Sequence, residues 1–346
     1  MGHRITRNSI VIAVVGALAA LFATTAIAAV ITGDDGPDRI TGTPEADQID
    51  SKGGPDRVRA LGGDDTVDLG FGNDRLRAGD GNDTGHGRRG NDRMFGGDGD
   101  DTLNGEGGHD HVRGGNGNDT LTGGLLRDWV FGNAGNDVID GNAGPDSLHG
   151  NAGDDQIDGG ASAGSTRSDD GRRGGDQIWA GPGNDTVNSD RGADRLHGGD
   201  GNDTQNGNGG RDKMSGGTGD DNQTGGPGND RIYANLGVDT THGGDGNDDL
   251  WALARGDVTG QPNEPADTLR GENGNDRFHL RDGEADTVNC GPGNDVALLD
   301  TLDKIEDATP ENQNGSCERV DRRAPRPKDQ STEQSTQNPA QDGHQR

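Results

Sequence analysis

The chain is poor in what a globular core is made from. Of 346 residues, 25% are hydrophobic and 3% aromatic, with a single tyrosine. So little apolar area cannot offset the ordering entropy of a chain this long, and composition alone would place it among acidic disordered polypeptides. Positive charge is scarce too. Against 62 Asp and Glu stand 32 Lys and Arg, for a formal charge of −30. A field of that sign argues against nucleic acid and anionic membranes as partners and suits a protein loaded with cations. With only two cysteines, a disulfide-dense scaffold is excluded. Common catalytic signatures are missing as well: there is no H-E-x-x-H, no zinc-type Cys/His spacing, no G-x-S-x-G and no phosphate loop leading into a helix.

What is abundant is glycine, 67 residues, and it is periodic. Gly96–Asn104 reads G-G-D-G-D-D-T-L-N, Gly114–Thr122 reads G-G-N-G-N-D-T-L-T, and Gly243–Trp251 reads G-G-D-G-N-D-D-L-W. Each unit is a glycine-rich turn of six residues closed by Asp, then three residues with an apolar middle. With that Asp as position 6, the register runs every nine residues from Asp38 to Asp155 and resumes from Asp176 to Asp248. It closes with Asp267, Asp276, Asp286 and Asp295, for 27 repeats. Anchoring on Asp leaves the other positions as the fair test. Position 4 is glycine in 23 of the 27, and position 8 is apolar in 23, failing at Gly85, Gln205, Gln223 and Thr241.

These strings resemble the RTX (repeats-in-toxin) calcium-binding nonapeptide, G-G-x-G-x-D-x-U-x, with U a large apolar residue. The resemblance covers roughly four-fifths of the chain. It implies an all-β fold, a right-handed parallel β-roll solenoid with two repeats per coil, and multiple Ca2+ ions between the turns of successive coils. Carried over position by position, the candidate metal ligands are Asp65, Asp74, Asp83, Asp92, Asp101, Asp110, Asp119, Asp137, Asp146, Asp155, Asp185, Asp194, Asp203, Asp212, Asp221, Asp230, Asp248, Asp276 and Asp295.

The chemistry of each position agrees. Glycines at 1, 2 and 4 permit left-handed backbone and let carbonyls converge. The carboxylate at 6 is a hard oxygen ligand of the kind calcium takes together with carbonyls. Positions 7 to 9 alternate as a strand must, with 8 inward. One inward apolar residue per nonamer cannot stabilise a nonamer alone, but stacked coils bury two columns of them. Stacking also sets aspartates of adjacent coils about 5 Å apart, where each pair repels by about 1 kcal/mol in water and several times more at lower dielectric. Calcium between them turns repulsion into cross-links, so the apo chain is expected to be disordered and to fold on calcium.

The remaining segments divide the chain. Residues 1–28 read as a signal peptide: a basic start at His3, Arg4 and Arg7, an apolar run Ile10–Phe22, and an Ala26-Ile27-Ala28 cleavage site. The other reading is an uncleaved anchor, because the apolar run continues to Ile31. Repeat blocks are expected at 33–158, 171–251 and 262–298, separated by insertions at 159–170 and 252–261. A cap at 299–320 holds Cys317, expected to pair with Cys290, and 321–346 reads as a disordered tail. Repeats begin at Gly33, directly behind the expected leader, so no catalytic domain is expected ahead of them.

Other chemistry is weaker. The repeated carboxylates share one setting, unlike the contrasting pair an acid/base mechanism needs. His86, His149, His197, His242 and His279 all stand at position 9, which is expected to face solvent. Trp179, Tyr233 and Trp251 share one column of a sheet and form a candidate aromatic ligand platform, or simply a strand surface of high β-propensity. The inward Gln205, Gln223 and Thr241 are expected to satisfy one another as an amide and hydroxyl ladder.

The whole reads as a secreted, extracellular calcium-binding protein with a structural or surface-binding role and no catalysis. Calcium is the expected partner, with glycans or cell-surface polymers as further candidates and no membrane insertion after signal cleavage. Its alternatives are an accessory module of a secreted enzyme or toxin system, and an adhesin or carbohydrate-binding rod.

Overall fold

The computed structural model describes residues 28–160, 175–252 and 266–323, together with the backbone of 11–13. Most of the leader, most of both insertions and the tail beyond 323 lie outside the described residues. Among the described residues no helix is long and apolar enough to cross a membrane.

Two compact units are distinguished, Met1–Gly181 and Pro182–Arg346. Each is a parallel β-solenoid. In the first, successive repeats alternate between two sheets, so that residues eighteen apart are strand neighbours. One sheet includes Gln48–Asp50, Thr66–Asp68, Thr84–His86, Thr102–Gly107 and Thr120–Leu125. The other includes Arg39–Thr41, Arg57–Gly62, Arg75–Asp80, Arg93–Asp98, His111–Asn116 and Trp129–Ala134. Leu103 lies beside Leu121 and Val112 beside Val130 in parallel register. Val11–Ala13 is the exception and pairs antiparallel with Val30–Thr32. The second unit repeats the plan, with Thr204–Asn206, Asn222–Thr224 and Thr240–Gly246 in one sheet and Lys213–Thr218, Arg231–Leu236 and Asp249–Trp251 in the other.

The strand pattern is exposed–buried–exposed around position 8, as at Arg39–Thr41 and at the start of Arg57–Gly62. Leu76, Met94, Val112, Leu103 and Leu121 are buried in this way. Where position 8 is Gly85, the space is taken by neighbours: a methyl group there would stand 2.8 Å from Leu76 and Leu103 and 2.9 Å from Met94. The polar column is satisfied internally. Gln223 Nε2 donates to Gln205 Oε1 (2.9 Å), Gln205 Nε2 donates to the Ser215 carbonyl (3.0 Å), and the Thr241 hydroxyl donates to Gln223 Oε1 (3.4 Å).

The C-terminal segment closes the solenoid as one further coil. Lys304–Ile305 and Arg319–Arg322 extend both sheets in parallel, pairing Val288 with Ile305 and Ala297 with Val320. Cys290 and Cys317 are disulfide-bonded. This last coil breaks the nine-residue spacing, which hides it in the sequence.

Candidate functional site: an aspartate ladder in the turns

Position-6 aspartates are wired from coil to coil. The Asp101 amide donates to Oδ1 of Asp119 (2.8 Å), while its own Oδ1 accepts from the Asp83 amide (2.8 Å). Its carbonyl accepts from the Thr120 amide (2.7 Å). The same amide-to-carboxylate bond links Asp56, Asp74, Asp92, Asp110, Asp128 and Asp146 on the other turn. In the second unit one ladder runs Asp203, Asp221, Asp239, Asp267, Asp286, and the other Asp212, Asp230, Asp248, Asp276, Asp295. Insertions do not break it. Asp146 bonds Asp176 thirty residues on, and Asp239 bonds Asp267 across twenty-eight.

This wiring uses one carboxylate oxygen and leaves the other. In each ladder aspartate from Asp56 to Asp146 and from Asp203 to Asp295, Oδ2 is buried with no hydrogen-bond partner. A buried charge in that state is expensive. Burial accordingly pushes Asp65, Asp92, Asp101 and Asp119 up to about 7, and Asp128 and Asp212 up to about 8. The charges of column neighbours add to the shift, and the donated amide opposes it.

The orphaned oxygens face a cradle that glycine keeps open. A methyl group at Gly96 would collide with Oδ2 of Asp101 and stand 2.8 Å from the carbonyl oxygen of Gly114 in the next coil. At Gly105 it would meet the Gly123 carbonyl at 2.5 Å and Asp110 Oδ2 at 2.6 Å. A carboxylate oxygen without a donor, converging with backbone carbonyls and no nitrogen or sulfur, is the donor set of a hard cation such as Ca2+. The residues present fit that ion.

The sequence-derived ligands take these positions, and the structure enlarges the set. Asp56, Asp128, Asp239, Asp267 and Asp286 carry the same orphaned oxygen, although their repeats depart from the consensus. Asp267, Glu284 and Asp286 bring carboxylate oxygens within 4.8 Å of one another, and burial with neighbouring carboxylates pushes Asp267 up to about 10. The ladder then runs into the last coil, where the Asp286 amide donates to Asp303 (3.3 Å) and the Asp295 amide to Glu318 (2.7 Å). Spacings of seventeen and twenty-three residues concealed both. At the other end Asp38 and Asp47 differ. Oδ2 of Asp38 accepts from the Asp34 amide (2.8 Å) and Oδ2 of Asp47 from the Thr43 amide (2.6 Å).

Aromatic residues stack along the strand surfaces. Tyr233 and Trp251 lie 5.9 Å apart, and Trp251 lies 3.5 Å from His279. Trp179 belongs to the first unit, stacked 4.6 Å from His149, which stacks 4.6 Å from Phe131. The faces of Trp251 and His149 are thus covered by other rings. His149 is not the solvated residue its position suggested, and burial pushes it down to about 4.

Parallel coils with oxygen ligands ranked along their turns define the class: a cation-binding β-solenoid. The chain matches the model of the RTX calcium-binding nonapeptide repeat over residues 28–164, 170–250 and 266–297. It belongs to that family and is a calcium-binding repeat protein. No curated protein matches it.

Proposed function

We propose that this chain is an exported, extracellular protein whose coils are held together by a series of calcium ions, with a structural or surface-binding role and no catalysis of its own. The observation that carries the reading is the buried, unbonded Oδ2 repeated coil after coil in both units. Bound calcium supplies positive charge between carboxylates that otherwise repel. The chain's own residues do the rest: Oδ1 fixes each carboxylate through the preceding coil's amide, position-1 glycine holds the cradle open, and position 8 fills the interior. A non-catalytic role is supported by the sameness of the ladder, since acid/base chemistry needs two carboxylates in contrasting settings. Export is supported by the basic start, apolar run and A-x-A of residues 1–28, and by the calcium and oxidising conditions outside cells that suit both the repeats and the Cys290–Cys317 bond.

The test is a calcium titration of the chelator-stripped chain, followed by far-ultraviolet circular dichroism and calorimetry. Strand signal should rise cooperatively with several calcium ions bound per chain. Full strand content and an unchanged melting temperature without calcium would sink the reading.

A further inference from the structure

In the first unit, the sheet that begins at Arg39–Thr41 turns two columns of arginine outward. Strand pairing sets Arg39, Arg57, Arg75 and Arg93 side by side in consecutive coils. Arg59 and Arg77 form the second column, continued through Phe95 to Arg113. All seven arginines are exposed. Among the described residues none has a carboxylate within ion-pair distance, and Arg113 lies over the Phe131 ring at 5.2 Å. The strands' outward positions 7 and 9, from Arg39 to Trp179, hold no Asp or Glu. The opposite sheet of the same unit holds no Arg or Lys there, and carries Asp50, Asp68, Asp140 and Asp158 instead.

A strand surface of high β-propensity does not explain this arrangement. Like charges on neighbouring strands about 5 Å apart repel, and the chain has 62 acidic residues with which to neutralise them. The second unit also sets Arg195, Lys213 and Arg231 side by side, but there an acid follows in the column: Arg231 pairs with Asp249 (3.2 Å), which also takes His279 (2.9 Å). The first unit leaves its ladder open.

We propose that this face binds a linear carboxylated polysaccharide laid across the coils, and that binding rests on the calcium-folded state proposed above. Arginine presents a planar fork matched to carboxylate, and the coil spacing repeats the forks at about 4.8 Å, close to the length of one sugar unit. An open groove of about 530 Å3 runs along the second column past Arg77, Phe95 and Arg113, with Asp80 and Asp98 at its turn-side edge. Those two acids confine an anion to the strand side. Further along, His111 stacks on Trp129, and Phe131, His149 and Trp179 stack in series. With faces covered, the inner rings turn only their edges outward. Nucleobases require open faces to stack upon. A uronate glycan also carries its charge more sparsely than the dense phosphates of nucleic acid.

The experiment is calorimetry of the full chain in saturating calcium with a hyaluronan decasaccharide, a neutral cellohexaose and a twenty-residue oligothymidylate, with sedimentation velocity on the protein alone. The decasaccharide should bind, more weakly as salt rises, and cellohexaose should not. Arg57→Gln/Arg59→Gln/Arg75→Gln/Arg77→Gln should lose roughly tenfold or more in affinity. Arg75→Gln/Arg77→Gln, a milder variant, should lose part of it, and Arg231→Gln should lose none. Unchanged affinity in both Arg→Gln combinations, tighter binding of the oligothymidylate, or self-association through these arginines without glycan uptake would overturn the proposal. Circular dichroism on the same samples separates the failures. A folded chain that ignores the decasaccharide overturns this inference alone, and a chain without strands in calcium overturns the calcium reading with it.

Discussion

The Asp101 amide points at Oδ1 of Asp119 from 2.8 Å, and Oδ2 of Asp119 is left buried and unbonded. One carboxylate thus serves both the coil before it and the cradle beside it. Asp119→Asn keeps the first role, because the amide oxygen can still accept, and destroys the second by turning a donor into the cradle. Calcium stoichiometry should fall by at least one ion, and stability in saturating calcium by about 1–3 kcal/mol. Calorimetric titration and thermal melting check this, and unaltered stoichiometry would count against Asp119 as a ligand.

Glycine is required for space at some positions and not at others. Gly96→Ala drives a methyl group into Asp101 Oδ2, whereas at Gly209 a methyl group meets nothing within 4 Å. The calcium concentration needed for half-maximal folding should rise for Gly96→Ala and stay put for Gly209→Ala. Equal effects would show that backbone freedom, rather than the cradle, is what the glycines provide.

The calcium-free fold should respond to pH in the direction opposite to an acid-labile protein. Burial raises Asp101, Asp119 and Asp221 from an ordinary value near 3.8 to about 7, and Asp128 and Asp212 to about 8. A folded-state value above the unfolded one means the fold is favoured while the group is protonated. Stability is therefore fully present below about pH 4 and is lost as pH rises through 7 to 8. Calcium-depleted protein should show more strand signal by circular dichroism at pH 4 than at pH 8. The reverse order would contradict the buried state of these carboxyls.

The inward polar column offers a test of hydrogen-bond accounting. Gln223→Ala removes both the donor to Gln205 Oε1 and the acceptor for the Thr241 hydroxyl, and should cost about 1–3 kcal/mol through the groups left unpaired. Replacing Gln205, Gln223 and Thr241 together by Val restores the apolar column found elsewhere and should cost less than the single change. Denaturant unfolding in saturating calcium compares the two.

Much of this was legible in the sequence because a solenoid makes contacts between nearest repeats only. The nine-residue period by itself sets Leu103 against Leu121 and ranks Asp101 with Asp119. The inward amide ladder and the Cys290–Cys317 pairing were anticipated as well. Asp303 and Glu318 were not, since the last coil adopts the fold without keeping the spacing. Nor were the hydrogen-bonded ends of the ladder at Asp38 and Asp47, where Asp34 and Thr43 supply the donors.

The linear order of residues determined that there would be turns, strands and a register, since each is a local consequence of glycine, aspartate and one apolar side chain in nine. Only the folded coil decided which oxygen of each aspartate is consumed and which is left for a cation, because that depends on an amide eighteen residues away. In the first unit it also decided that the outward arginines gather on one sheet and the outward aspartates on the other: alternate repeats go to opposite sides, and a difference between odd and even nonamers becomes a difference between two faces.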